Sequence, residues 1–384
     1  MKAKWTNKPL GDLCDILDSK RKPVTKSDRI PGPYPYYGAT GIQDFVADFI
    51  FDEPLVLVGE DGAKWESGES TAFAVQGKCW VNNHAHVLRP FRDRLLDNWL
   101  IYFLNHSDLN EYVSGLTVPK LNQGSLREIR IPLAPIEEQR RIVTLLDEAF
   151  ADIATAKANA ENNLQNAREL FESHLDAIVT SAQANGEIVP LSELATDITD
   201  GDHMPPPKVE QGLPFITIGN IDKQTRAIDF SDTFQVPREY FDGLKANKKP
   251  MRGDVLYTVT GSFGIPVLVE DDKEFCFQRH IGLIRPKADV NSTWLHFLLQ
   301  SPQAFNQAAD GATGTAQKTV SLKVLRNLQV PKISPKEQLA HVEALRSVET
   351  ECRRLESIYR QKLTAFDDLK KSLLHQAFSG QLTQ

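Results

Sequence analysis

Polar loops contain most of the residues that could recognise a ligand. Asn82, Asn83 and His84 stand together between apolar runs in the first part of the chain. Asparagine amides form paired hydrogen bonds with the N6 and N7 edge of adenine, so this loop predicts a base-reading contact. A metal site at His84 and His86 is the weaker interpretation, because no cysteine or carboxylate lies at helical or hairpin spacing from them.

Two other loops of the first half have the composition of phosphate or base contacts. Tyr36, Tyr37 and Gly38 combine flat rings with a glycine that lets the backbone approach a phosphate or a base. A turn supported by core tyrosines is an equally open interpretation. The stretch 60–64 predicts a tight turn. The alternative is a DNA contact, in which Lys64 meets a phosphate and Glu60 a cytosine amino group.

The second half offers a similar set of polar loops. Hydroxyl and backbone N–H groups near Thr260 and Ser262 suit phosphate oxygens, although a plain hairpin is the alternative. Glutamine is an adenine-type reader and arginine a guanine-type reader, and the two types are adjacent in a second loop. The candidate DNA contacts of these loops are Thr260, Ser262, Gln278, Arg279, His280, His203 and Lys208.

Basic residues are clustered although the chain as a whole is acidic. The formal net charge is −7, which argues against phosphate binding through total charge alone. Clusters matter more than the sum, because each neutralised phosphate needs a nearby cation. Lys20, Arg21 and Lys22 form one cluster and residues 245–252 include another. Each of them is either a phosphate contact or a solvated surface.

The sequence carries no motif that predicts catalysis. Residues 311–319 resemble a phosphate-binding loop only superficially, because Gln317 replaces the glycine that must precede Lys318. The chain also lacks the Asn-Pro-Pro-aromatic motif of adenine methyltransferases and a nuclease cluster of carboxylates and lysine. We therefore expect a protein without a catalytic site, metal or cofactor of its own.

Length and composition indicate a multidomain protein of the cytoplasm. The 384 residues exceed the usual size of one domain, which is roughly 100 to 200 residues. Residues 1–13 lack the apolar core of a signal peptide, and no uncharged run reaches the ~20 residues of a membrane span. The four cysteines are not paired in CxxC spacing, so we expect ordinary buried or half-buried thiols.

The chain contains an internal repeat. Residues 115–175 match residues 314–374 at a constant offset, which places Gly115 opposite Gly314 and aligns the pair Glu138-Gln139 with Glu337-Gln338. The regions before these stretches are similar only after insertions. A variable and a shared segment therefore alternate twice, and two copies predict a pseudo-two-fold molecule.

The shared segments read as a strand followed by a long helix. Extended apolar stretches at 129–135 and 328–335 end in proline, which predicts a strand and then a break. Apolar residues then recur at heptad spacing from residue 136 to about 182 and from 336 to about 378. Helices of roughly 45 residues would be near 68 Å long and would form a rigid spacer when paired.

The variable segments read as α/β heads. Short β-rich runs at 55–58, 255–260 and 266–269 lie among glycines and prolines, and helical patches at 96–113 and 294–309 close each segment. The sequence thus predicts α/β architecture, with two β-rich heads separated by a two-helix coiled coil. The predicted domains are 1–134 (first head), 135–184 (central helix), 185–334 (second head) and 335–384 (C-terminal helix).

Over essentially its full length the sequence resembles the specificity subunits of type I restriction-modification systems. The similarity rests on the order of the parts and on short motifs. Pro135-Ile136-Glu137-Glu138-Gln139 resembles the start of that family's central helix, and residues 333–338 repeat it. Residues 314–318, 371–374 and 377–380 are similar to further family stretches. The first copy departs from the second at 115–119, where Leu-Thr-Val-Pro follows the glycine.

The resemblance implies a non-catalytic DNA-binding subunit. Two target-recognition domains, held apart by antiparallel helices, would each read one half of a bipartite, asymmetric site in double-stranded DNA, with Lys318 among the contacts. Two adenine-N6 methyltransferase subunits would dock on the helices, and two restriction subunits would complete the complex. S-adenosylmethionine, ATP and Mg²⁺ would belong to those partners, and none of the roles involves a membrane.

Two other assignments stay open from the sequence. Paired helices and an acidic charge also fit a coiled-coil scaffold that assembles proteins without reading DNA. The motifs equally fit the specificity subunit of a related type II assembly. Neither the target bases nor the spacer between half-sites follows from the residues.

Overall fold

The computed structural model describes residues 5–115, 117–202, 206–315 and 317–383. The chain divides into two compact units, here called unit 1 and unit 2. Unit 1 comprises Met1–Glu161 together with Arg360–Gln384, and unit 2 comprises Asn162–Tyr359. Two long helices, α3 (Ile136–Asn185) and α8 (Pro335–Phe378), each contribute to both units.

Unit 1 contains two four-stranded sheets and two short strand pairs. Its strands are β1 (Thr6–Pro9), β2 (Cys14–Ile16), β3 (Pro31–Gly38), β4 (Gly41–Val46), β5 (Phe51–Asp52), β6 (Leu55–Gly59), β7 (Ala72–Val75), β8 (Lys78–Val81), β9 (Ala85–Pro90), β10 (Val113–Ser114), β11 (Lys120–Leu121) and β12 (Arg130–Leu133), and its shorter helices are α1 (Asp97–His106) and α2 (Gln123–Glu128). The sheet orders are β2-β9-β6-β7 and β4-β3-β8-β5, and β1 pairs with β12. All these pairs are antiparallel except β3 with β8.

Unit 2 repeats most of this topology. Its strands are β13 (Glu187–Pro190), β14 (Ala195–Asp200), β15 (Leu213–Ile216), β16 (Phe234–Val236), β17 (Val255–Thr258), β18 (Pro266–Leu268), β19 (Cys276–Phe277), β20 (Ile281–Pro286) and β21 (Gln329–Lys332), and its shorter helices are α4 (Arg238–Asp242), α5 (Ser292–Gln300), α6 (Pro302–Gly311) and α7 (Leu322–Arg326). The sheet orders are β14-β20-β17-β18 and β16-β15-β19, and β13 pairs with β21. The parallel pairing of β15 with β19 corresponds to that of β3 with β8.

The core of each unit forms around a central strand and a tryptophan. All five residues of β6 and all four of β17 are buried, in keeping with the apolar runs 55–58 and 255–257. Trp99 on α1 is fully buried, donates to the Pro132 carbonyl at 2.9 Å, and has its ring between those of Trp5 and Phe378. In unit 2, Trp294 on α5 is likewise fully buried.

The long helices contact each other inside each unit. Helix α3 has 50 residues and α8 has 44, so they extend roughly 75 Å and 66 Å. In unit 1, Lys157 of α3 lies 2.7 Å from the Asp367 carboxylate of α8, and Arg141 of α3 donates at 2.8 Å to the carbonyl of Leu382, which follows α8. The order of these contacts is antiparallel. In unit 2, Arg168 forms an ion pair with Glu356 at 3.3 Å.

The two predicted closing helices are shorter than their apolar patterns indicated. In place of one helix over 96–113, α1 ends at His106, and an Asp108 side chain that accepts from the Asn110 amide turns the chain. In place of one helix over 294–309, α5 and α6 are separated at Ser301. The Ser301 hydroxyl caps α6 and Pro302 occupies its first turn, so a new helix begins there.

All four cysteines are buried free thiols, as the absence of paired spacing predicts. None of the helices in the described ranges combines the length and the apolar character that a bilayer span needs.

Candidate nucleic-acid interface

Three polar loops meet at one end of the sheets in unit 1. They are the β6 loop (60–64), the β8–β9 loop (82–84) and the β10–β11 turn (114–120). The Glu60 amide donates to the His84 carbonyl at 2.9 Å, and the Glu60 carbonyl accepts from the Leu121 amide at 2.8 Å. The Asn82 amide donates to the Tyr37 carbonyl at 3.0 Å and ties the second loop to β3.

Unit 2 brings its corresponding loops together with the same three hydrogen bonds. These loops are the β17 loop (259–264), the β19–β20 loop (278–280) and the turn 313–319. The Val259 amide donates to the His280 carbonyl at 2.9 Å, and the Val259 carbonyl accepts from the Val320 amide at 2.8 Å. The Gln278 amide donates to the Ile216 carbonyl at 3.0 Å. Each unit thus holds a three-loop cluster of the same backbone design.

Glycines in the left-handed region shape equivalent positions of both clusters. Gly62 has φ +69° and Gly261 has φ +72°, while Gly115 and Gly314 have φ +97° and +106°. A β-carbon on Gly115 or Gly314 would lie 2.4 or 2.3 Å from a carbonyl oxygen across the turn. Only glycine fits there without strain, which explains why the repeat keeps these two glycines although the rest of the turn differs.

A charged network lies beneath the cluster of unit 1. Glu60 forms ion pairs with Arg21 and, at 2.8 Å, with Lys120. Burial by itself would raise the pKa of Glu60, but the hydrogen bonds from Lys120 and Arg21 bring it below its ordinary value. The network therefore joins the β6 loop to β11 and to the segment after β2.

Asp18 and His86 extend this network into the core. The fully buried His86 ring places Nδ1 2.6 Å from the Asp18 carboxylate and Nε2 2.7 Å from the Leu121 carbonyl. Burial would raise the pKa of Asp18, yet hydrogen bonds from His86 and from the Val87 amide hold it below its ordinary value. His86 thus links β9 to both neighbouring segments.

Two carboxylates lie close to His86, although the spacing in the sequence predicted none near it. Asp18, Glu60 and His86 offer ligand atoms within 4.8 Å of one another, although they come from distant parts of the chain. Arg21 and Lys120 already neutralise these carboxylates. We therefore interpret the cluster as an internal ion-pair network that shapes the loops.

Unit 2 replaces the charged positions with neutral ones. Strand pairing puts Val259 and Thr260 where unit 1 has Glu60 and Asp61, and Thr319 bridges to Thr260 as Lys120 bridges to Asp61. The two clusters share a backbone and differ in the side chains that they present.

The residues predicted as DNA contacts in unit 1 fall into two groups. Lys20, Lys22, Lys64, Asn83 and His84 are exposed. Lys64, Asn83 and His84 belong to the three-loop cluster, and the Lys22 amide donates to the Val81 carbonyl beside it at 3.4 Å. Lys20 interacts electrostatically with Glu53, outside the cluster. The others are occupied inside the unit, and they are described next.

Internal contacts engage Arg21, Asn82 and Tyr36. Arg21 pairs with Asp18 and Glu60. The buried Asn82 side chain accepts from the His84 amide at 2.8 Å and donates to Gln43 at 3.1 Å, so it fixes the loop. The buried Tyr36 hydroxyl accepts from the Val24 amide at 3.0 Å. Tyr37 is half-buried and Gly38 is buried on the same strand.

The predicted contacts of unit 2 lie mostly on its cluster. Arg279 and Lys318 are exposed, Ser262, Gln278 and His280 are half-buried, and Thr260 is buried. Lys208 is exposed and places its ammonium 4.6 Å from the centre of the Phe234 ring, outside the cluster. His203 lies outside the described residues.

The shared glutamine of the two helix starts has a structural role that the sequence did not reveal. Gln139 is fully buried, accepts from the Leu96 amide at 3.1 Å and donates to the Arg94 and Ala134 carbonyls at 2.7 and 2.8 Å. Gln338 makes the same three types of bond in unit 2, with the Asn291 amide at 2.7 Å. Each glutamine fastens a long helix to its unit.

Fold and site together define a class: a nucleic-acid recognition protein with two related readers on paired helical segments. A family model described as type I restriction modification DNA specificity domain matches residues 2–165 and again 184–365. The chain belongs to this family, and the resemblance seen in its sequence is confirmed. It is a specificity subunit of the type I restriction-modification class, a DNA-recognition component and not a catalytic one.

Two relatives agree with this assignment. The chain is 28% identical over 273 residues to a putative type I restriction enzyme specificity subunit of Haemophilus influenzae, which covers 70% of this chain and 69% of that protein. It is 22% identical to the type I restriction enzyme MjaVIII specificity subunit of Methanocaldococcus jannaschii, over 98% of this chain and 93% of that one.

Two solved structures have a similar fold. A chain from a structural study of the assembly and conformational transition of the type I restriction-modification system matches with a TM-score of 0.76 at 16% identity, over 98% of both chains. The HsdS subunit of Thermoanaerobacter tengcongensis matches with a TM-score of 0.58 at 18% identity, over 98% of this chain and 97% of that one. At these identities the likeness concerns the fold alone.

Proposed function

We propose that the chain reads a bipartite, asymmetric sequence in double-stranded DNA, one half with each three-loop cluster. The observation that supports this is the matched pair of clusters, whose backbones are joined by the same hydrogen bonds. Similar scaffolds with different side chains would recognise different half-sites, because base edges are distinguished by the donors and acceptors that face them.

Exposed residues on the clusters are the proposed DNA contacts. In unit 2, Arg279 would read a guanine and Lys318 would meet a phosphate, since both side chains are exposed. In unit 1, Asn83, His84 and Lys64 would take these roles. Arg21 and Asn82 would act indirectly, by fixing the loops that carry the contacts.

The long helices are the proposed support for the clusters. We propose that α3 and α8 pair along their length as an antiparallel two-helix coiled coil in a pseudo-two-fold molecule, with the heads at 1–134 and 185–334. The antiparallel contacts in unit 1 and the ion pair in unit 2 support this arrangement. A stiff support would fix the distance between the two half-sites.

The chemistry of the complete enzyme is proposed to belong to partner subunits. Two adenine-N6 methyltransferase subunits would dock on the helices and two restriction subunits would complete the assembly in the cytoplasm. S-adenosylmethionine, ATP and Mg²⁺ would bind to those partners, and this chain would hold no cofactor.

Half-site substitution tests the proposal. Mapping methylated adenines across the host genome gives the target sequence, and the complex with its methyltransferase partners is then titrated at fixed salt with three duplexes. The first duplex carries the target, and each of the others has one half scrambled. We expect each scrambled half to weaken binding, by roughly tenfold or more per altered base contact.

The same experiment separates the alternatives. Equal affinity for all three duplexes would contradict sequence reading and favour a scaffold. A variant pair assigns each half to its unit: Arg279→Ala is expected to relax discrimination only in the half that unit 2 reads, and Asn83→Ala only in the other half.

A further inference from the structure

His84 is an exposed imidazole held by a carboxylate. The ring is at the tip of the β8–β9 loop with 48% of its side chain exposed, and its Nδ1 is hydrogen-bonded to the Asp61 carboxylate. In the described part of the chain, the other ring nitrogen, Nε2, has no hydrogen-bonding partner. One edge of the ring is therefore fixed and the other remains available to a ligand.

The surroundings fix both members of the pair. The His84 amide donates to the Asn82 side chain at 2.8 Å, and the His84 carbonyl accepts from the Glu60 amide at 2.9 Å. The other carboxylate oxygen of Asp61 lies 3.8 Å from the Lys120 ammonium. The ring therefore needs little reordering to meet a ligand, which favours specific binding.

The Asp61 carboxylate determines which hydrogen-bonding role His84 Nε2 can take. An ionised carboxylate only accepts hydrogen bonds, so Nδ1 must donate to Asp61. In the neutral ring Nε2 is then an acceptor, whereas in the protonated ring it is a donor. DNA offers phosphate oxygens and the guanine O6 and N7 acceptors, all in a negative potential that favours the protonated ring.

Unit 2 has the same histidine in a different setting. His280 occupies the equivalent loop position, as its carbonyl contact to the Val259 amide shows. Thr260 stands where unit 1 has Asp61, and the Arg279 guanidinium lies 3.4 Å from the His280 ring. The carboxylate that holds the imidazole in unit 1 is therefore replaced by a threonine at the equivalent position of unit 2.

We propose that Asp61 is a positioning residue that aims His84 at an acceptor on DNA, and that unit 1 takes up a proton at this ring when it binds. The inference rests on the proposed function and deepens it. The acceptor is a phosphate oxygen or a guanine edge. The ionisable groups that face the pair directly or through its network are Asp61 and Glu60 after β6, Lys120 on β11, Asp18 and Arg21 after β2, and His86 on β9.

The pH dependence of DNA affinity tests this proposal. The complex with its methyltransferase partners is titrated, at fixed salt, with the duplex found by genome methylation mapping and with a duplex scrambled in the half that unit 1 reads. Histidine changes charge between about pH 5 and 8, so affinity should fall about tenfold between pH 6 and pH 8. His84→Gln should remove most of this dependence, because glutamine does not titrate.

Two further variants complete the design. Asp61→Asn keeps a hydrogen-bond acceptor but removes the negative charge that the ring contacts, so it should reduce the pH response. His280→Gln is the matched control in unit 2 and should keep the pH dependence. Urea denaturation of each variant shows that its fold is retained.

The outcomes are distinct. A pH response on both duplexes that His84→Gln removes identifies a phosphate contact, and such a response on the target duplex alone identifies a guanine contact; either supports the proposal. An unchanged pH response in both His84→Gln and Asp61→Asn overturns it while leaving DNA reading intact. Equal binding of target and scrambled duplex at every pH contradicts the proposed function instead.

Discussion

Replacing Gln139 by leucine should selectively weaken unit 1. The substitution keeps the side-chain volume but removes three hydrogen bonds in a fully buried position. At about 1 kcal/mol net for each bond, the free energy of unfolding should fall by about 3 kcal/mol. Urea denaturation of a domain of this size has a slope near 2 kcal/mol per molar, so the midpoint should fall by about 1.5 M.

Tryptophan fluorescence makes this assay specific to one unit. Four of the five tryptophans, Trp5, Trp65, Trp80 and Trp99, belong to unit 1. Gln338→Leu is the matched variant in unit 2 and should leave most of the fluorescence transition in place. The exposed neighbour Glu137→Gln should change nothing. A midpoint for Gln139→Leu within about 0.3 M of the parent protein would refute the claim that this glutamine fastens the helix.

Three other outcomes follow from buried charges and exposed cations. Arg285→Met leaves Asp254, which is 1% exposed, without its cation, and should cost unit 2 about 3 to 5 kcal/mol in urea denaturation followed by circular dichroism; replacing both residues by apolar ones should recover most of the loss. The pKa of Asp18 is lower in the folded chain, so its stabilisation is present above the unfolded value near 4 and is lost as pH falls through the folded value. Thermal unfolding of Asp18→Asn should therefore respond less to acid than that of the parent, and parallel acid profiles would contradict this. Lys318→Ala should weaken target and scrambled duplexes alike and lower the salt dependence of binding by about one counterion.

Repeats and periodicity were sufficient to predict the architecture of the shared segments. Helices predicted to start at 136 and 336 begin at Ile136 and Pro335. Proline breaks and heptad spacing depend on the local sequence, and the helix boundaries that they predict are found in the folded chain. The same reasoning overextended the closing helices, because apolar periodicity continued past Ser301, where a hydroxyl cap and a proline start a new helix.

The candidate interface was only partly predictable. The two loops that begin at Asn82 and Gln278 have suitable residue types, but their equivalence depends on strand pairing. The partners of Arg21 are Asp18 and, much further along the chain, Glu60. Nothing in the local sequence separates an arginine that faces solvent from one that meets a buried carboxylate.

The glutamine in the shared motif shows the same limit. Its position after two charged residues marked the start of a helix, and a polar residue there is ordinary. Its partners at Arg94 and Leu96 come from a loop that folds back on the helix. Only the tertiary contact shows why both copies have a glutamine at this position.

Unit 1 is built from two distant segments of the chain, and this determines which unit is completed first during synthesis. Residues 162–359 of unit 2 form one continuous stretch, whereas unit 1 also requires residues 360–384, including Phe378 against Trp99. Unit 1 is therefore the unit whose synthesis begins first and is completed last. A chain cut short after Tyr359 would contain every residue of unit 2 and would lack part of the core of unit 1.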